Sequence, residues 1–102
     1  MRVINVGTDQ TATPDMLRNG NILACAGGVD LVLPYPSSDY TAFTVKAMGP
    51  SVTIQSAAGI ENTSHAVVTS AIAMADGDAQ QLFSIRDHVT GAQSAYRLGT
   101  FS

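Results

Sequence analysis

Between Phe43 and Gln55 the sequence alternates twice about a single turn, and this pattern limits what the chain can become. Phe43, Val45 and Ala47 interleave with Thr44, Lys46 and Met48; after Gly49-Pro50, Val52 and Ile54 interleave with Thr53 and Gln55. A period of two sends alternate side chains to opposite faces of an extended strand. The segment is read as a hairpin of two half-buried strands. Its apolar faces need a second layer to pack against, and a facing sheet supplies one.

The same texture runs through the rest of the chain. Arg2 to Val6, Ile22 to Ala24 and Val29 to Leu33 read as short strands, with Gly27-Gly28 as a break and Pro34 and Pro36 ending the last of them,. Thr13-Pro14-Asp15 has the form of a helix start, but Asn19-Gly20 stops it within one turn,. From His65 to Ala75 the alanines favour a helix by propensity. Val67-Val68-Thr69 and the alternation of Ile72 and Met74 with alanine favour a strand, which is the expected state of the segment,. Asp76-Gly77-Asp78 signals a hairpin turn, Gln81 to Arg86 alternates again, and Ala95 to Phe101 closes the chain,. The expected fold is all-β: a small antiparallel β-sandwich or jelly-roll-like barrel. It should have about eight short strands, with at most one helical turn near residues 14–19. The sequence shows no internal repeat and no linker.

A chain of 102 residues makes one domain with a thin core,. Charged residues are 13% of it, about half the usual share, and Lys46 is the one lysine,. Few charges leave strand edges unprotected against pairing, which points to edges covered by neighbouring subunits. The basic residues Arg2, Arg18, Lys46, Arg86 and Arg97 are scattered and the net charge is −3. Phosphate-driven nucleic-acid binding and attraction to anionic membranes therefore lack a basis. No apolar run approaches the ~20 residues that cross a bilayer, and the first residues lack the apolar segment of a signal peptide. The expected site of synthesis is the cytoplasm.

No residue pattern points to catalysis, a metal or a cofactor. Cys25 lies in an apolar run and reads as a buried, inert thiol,. Asp76 and Asp78 flank a glycine, as turn residues do, without a calcium-loop spacing,. Asp9 and Asp15 suit turn and capping roles. Glu61 stands near Asn62 and His65, with no second carboxylate at a set distance, and His65 and His88 are too far apart to form a metal motif,. Neither a G-x-S-x-G elbow nor a phosphate-binding glycine loop is present. Tyr35, Tyr40 and Tyr96 could build a stacking surface. Tyr35 and Tyr40, which bracket a Pro/Ser loop, are the candidates for a peripheral contact.

From Ile22 to about Phe83 the chain resembles the small β domains of tailed-bacteriophage virion proteins. The resemblance rests on Gly27-Gly28, Leu31-Val32-Leu33-Pro34, Phe43-Thr44-Val45-Lys46, Gly49, Val52-Thr53-Ile54, Gly59-Ile60-Glu61-Asn62 and Asp76-Gly77. It covers about two thirds of the chain. It implies adhesion or scaffolding, frequently as a homotrimer, and brings no catalytic residues with it. A unit without a fibre shaft fits a capsid decoration, or cement, protein. On this expectation the chain is a structural virion protein on the capsid exterior, with itself and the major capsid protein as partners and no cofactor. Residues 1–21 are expected to form an anchoring arm ahead of a β-sandwich domain over 22–102. Arg2, Ile4, Thr13, Met16, Leu17 and Arg18 are the candidate capsid contacts. The alternative is a tail-fibre or receptor-binding module that recognises a host glycan through the Tyr35–Tyr40 loop.

Overall fold

A computed structural model describes residues 2–35, 42–61, 66–84 and 96–99. The described residues contain no helix. They form eleven short strands: β1 (Val3–Val6), β2 (Gln10–Thr11), β3 (Ile22–Cys25), β4 (Asp30–Val32), β5 (Ala42–Ala47), β6 (Val52–Gln55), β7 (Ile60–Glu61), β8 (Val67–Val68), β9 (Ile72–Met74), β10 (Ala79–Ser84) and β11 (Tyr96–Gly99). The larger sheet has the order β1-β3-β5-β10-β11-β7-β8 and the smaller β2-β4-β6-β9. The all-β expectation holds. The ambiguous stretch near residue 70 is extended, as β8 and β9. Residues 14–17 make a single turn, closed by Met16 N–H donating to the Thr13 carbonyl and Leu17 N–H to that of Pro14.

Pairing departs from the antiparallel expectation. β1, β3 and β5 run parallel, and so do β2, β4 and β6. Strands β5 and β6 belong to different sheets, so Phe43–Gln55 is an arch and not a hairpin. The chain climbs one sheet, crosses at Gly49-Pro50-Ser51 and returns along the other. Phe43, Val45 and Ala47 are thereby set in the same core as Val52 and Ile54. Strand alternation is the same in either geometry, because it records only which side chains face inward. The turn at Asp76-Gly77-Asp78 is likewise an arch, from β9 in the smaller sheet to β10 in the larger.

Three arches, β1–β2, β3–β4 and β5–β6, stack in register. Val6, Cys25 and Ala47 align in one sheet, and Thr11, Val32 and Gln55 in the other. The stack is thus a short repeat, although the sequence shows none. Its steps are unequal, each roughly twenty residues,. Only the inward positions share a character. The crossings stack too: Met48 N–H donates to the Cys25 carbonyl and Gly28 N–H to that of Pro50. A Cβ on Gly49 would lie 2.8 Å from the Gly27 Cα, so a glycine is needed at 49, while a Cβ on Gly27 would press on Pro50 at 3.2 Å,. At the corresponding Gly7 a Cβ would meet nothing within 4 Å, since the stack ends there.

The core joins both sheets. Leu23, Phe43, Val45, Ile60, Leu82 and Tyr96 from one face Leu31, Val52, Ile54 and Met74 from the other. Tyr96 meets Phe43 edge to face, with centroids 5.9 Å apart, and its hydroxyl donates to the Pro34 carbonyl. The expected separation of an arm over 1–21 gives way to an integral first arch. Strand β1 pairs with β3, Ala12 N–H donates to the Val32 carbonyl, and Val6, Ala12 and Leu17 are buried.

Candidate functional site

Strand alternation gives the larger sheet an outer face. Across its first four strands this face carries Val3 and Asn5 on β1, Ile22 and Ala24 on β3, Ala42, Thr44 and Lys46 on β5, and Ala79, Gln81 and Phe83 on β10. Lys46 is the one charged residue among these ten. Its ammonium reaches the Gly77 carbonyl at 3.4 Å, which holds it against the neighbouring turn. Val3 is 59% exposed and Phe83 36%. Across these four strands the face is mostly neutral, with apolar side chains exposed at Val3 on the edge strand and at Phe83 on β10. Depletion of charge with an exposed aromatic is the composition of protein contact surfaces.

The smaller sheet is more polar outside. Asp30 lies between two arches: its N–H donates to Asp9 Oδ1 at 2.8 Å, and its carboxylate accepts the Thr53 hydroxyl at 2.9 Å and the Gln55 amide at 2.7 Å. These bonds run along the stack and tie three arches together. Among the described residues no group of three or more His, Cys, Asp or Glu is placed to hold a metal ion. The Asp9 and Asp30 carboxylates work as backbone and side-chain acceptors. Asp78 does the same, accepting the Ala75 N–H at 3.0 Å in the turn around Gly77.

The six residues expected at a capsid contact separate by burial. Leu17, 8% exposed, belongs to the core, and Ile4 and Met16 are partly buried against it. Arg2, Thr13 and Arg18 are exposed. The structure does bring most of them to one corner. Asp15 pairs with Arg18 at 2.7 Å and more loosely with Arg2 at 3.8 Å. Buried Asn21 links the same corner, accepting the Arg2 N–H and donating to the Met16 carbonyl. Thr13 N–H points at the Met16 sulfur, 3.4 Å away.

The three tyrosines do not share a surface. Tyr35 is 72% exposed, whereas Tyr96 is enclosed in the core, where burial pushes its hydroxyl pKa well up. Tyr40, Asn62, His65 and His88 lie outside the described residues. The Cys25 thiol is buried and its pKa is raised by the same desolvation, which leaves it protonated and unreactive,. Two features were missed in the sequence: the polar hub at Asp30 and the exposure of Phe83. The first had a signal in the aspartate preceding Leu31-Val32; the second had none, because Leu82 and Phe83 are both apolar and only pairing decides which faces in.

No family model, curated protein or solved structure matches the chain. What the fold defines is a class by architecture: a two-layer stack of β-arches whose outer face across β1, β3, β5 and β10 carries a single charge.

Proposed function

We propose that this chain is a structural virion protein of a tailed bacteriophage, which coats the capsid exterior and reinforces contacts between major capsid subunits. The observation that carries the reading is the outer face of β1, β3, β5 and β10, on which Lys46 is the one charged residue, although the same face of the larger sheet carries Glu61 farther along, on β7. Such a face loses little on leaving water, since almost no ion has to be desolvated. The resemblance of Ile22–Phe83 to phage virion β domains supports the same role. Purified protein is incubated with capsids of the encoding phage that lack it, and the capsids are sedimented. Saturable co-sedimentation, abolished by Phe83→Asp, is the expected result; no binding at micromolar concentrations would sink the proposal.

A second reading is favoured by Tyr35, whose exposed ring is the kind of platform on which sugars stack,. A glycan-array signal that disappears in Tyr35→Ala would place the chain among host-recognition modules instead.

A further inference from the structure

Both sheets end together at the first arch, and among the described residues none pairs with the outer side of β1 or β2. In the parallel β1–β3 ladder, Ile22 N–H donates to the Arg2 carbonyl and Ala26 N–H to that of Val6. The parallel pattern then assigns the backbone groups of Ile4 to β3 as well, and turns N–H and C=O of both Val3 and Asn5 to the open side,. On β2, Ala12 N–H donates to the Val32 carbonyl, so the backbone of Thr11 faces outward. Of the usual edge defences, the described residues show only shortness, β2 being two residues long,. The exposed strands read Val-Ile-Asn-Val and Gln-Thr, with no charge, proline or bulge,.

We infer that this bare end is an interface between two copies of the chain, joined edge to edge about a two-fold axis along the sheet normal. The geometry is self-complementary. With the axis through Ile4, Val3 of one copy faces Asn5 of the other, and each such pair exchanges two backbone hydrogen bonds. Ile4 lies three residues before Gly7, and Thr11 lies three residues after Thr8. The two outward sites are therefore nearly equidistant from the crossing, so the axis that pairs β1 with its copy also brings Thr11 opposite Thr11. A single foreign strand would satisfy one sheet only. A second copy offers two edges at the required separation, because it has the same two layers. The far end of the molecule is not an equivalent partner: there the larger sheet runs four strands past β5, whereas the smaller sheet runs one past β6. This inference does not rest on the capsid assignment, and its dimer departs from the homotrimer that the resemblance implies.

The test is the mass of the full chain by light scattering across a concentration series, with three variants. Asn5→Pro removes an outward N–H while sparing the β1–β3 ladder, as proline on an edge strand does. The double substitution Val3→Lys with Asn5→Lys sets like charges opposite one another in the pair, and Val3→Glu with Asn5→Glu does so with the other sign. A dimer is expected for the parent chain. Its dissociation constant should rise about tenfold or more in each variant, with the melting transition of the monomer retained. Mixing the lysine and glutamate variants should restore a dimer, which general misfolding could not do. A monomer at every concentration, a trimer, or a dimer indifferent to these substitutions would overturn the inference.

Discussion

The Cα of Gly27 occupies the space that a Cβ at position 49 would need. The two residues belong to successive arches, and their contact sets how closely the crossings stack. Gly49→Ala should cost about 1–3 kcal/mol, the usual range for forcing a methyl into a packed site. Gly7→Ala, in the first arch, should change stability by less than about 1 kcal/mol, because no atom stands in its way,. Urea titrations of the two variants make the comparison, and equal losses would refute the stacking argument.

Asp30 holds the outside of the smaller sheet by accepting from Thr53 and Gln55. Asp30→Ala should destabilise by about 1–2 kcal/mol, since both donors are only partly buried and recover some bonding from water. Asp30→Asn keeps one acceptor oxygen and should lose less. The order of the two melting temperatures checks this, and a reversed order would contradict it.

Alkaline pH should weaken the fold through Tyr96. Burial raises its folded pKa above the unfolded value of about 10,. Above that value the unfolded chain releases the phenolic proton while the folded one keeps it, so stability falls as pH rises from about 10 toward the folded pKa. Cys25, its pKa also raised by burial, acts in the same sense once the pH passes the ordinary thiol value,. Tyr96→Phe should flatten the loss above pH 10. It should also cost about 1–2 kcal/mol at neutral pH by leaving the Pro34 carbonyl without its donor,.

Deleting residues 2–20 should destabilise the domain itself. The deletion removes β1, β2 and the buried Val6, Ala12 and Leu17, and it uncovers β3 and β4. Leu17→Ala alone should cost about 2–3 kcal/mol. Circular dichroism on heating should show a broadened, lowered transition for the truncated chain; an unchanged transition would restore the idea of a separable arm.

Strand content was legible in the sequence, and topology was not. The alternation at Phe43–Ala47 and Val52–Ile54 located both strands and their buried faces. It could not tell a neighbour in the same sheet from a partner across the core, since each leaves the same residues inside. Parallel stacking was hidden for a related reason: Val6, Cys25 and Ala47 align in space while sharing only small-to-medium apolar character. For the candidate site, Arg2, Met16 and Arg18 do meet at one corner. Leu17 sits in the core instead, because the turn at residues 14–17 directs it inward, and nothing local separates it from the equally apolar Met16, which is only partly buried,.

The position of β10 between β5 and β11 has a consequence for how the chain is made. During synthesis the three arches emerge first and can begin to stack, but β5 keeps an open side until residues 79–84 leave the ribosome. Strands β7 and β8 must wait longer, because they join the larger sheet only through β11. The nascent chain therefore carries open, weakly charged strand edges until residues 96–99 have been added. Completion of the larger sheet is a late, long-range step, so the time spent between synthesis and closure is when the chain is most open to pairing with the wrong partner.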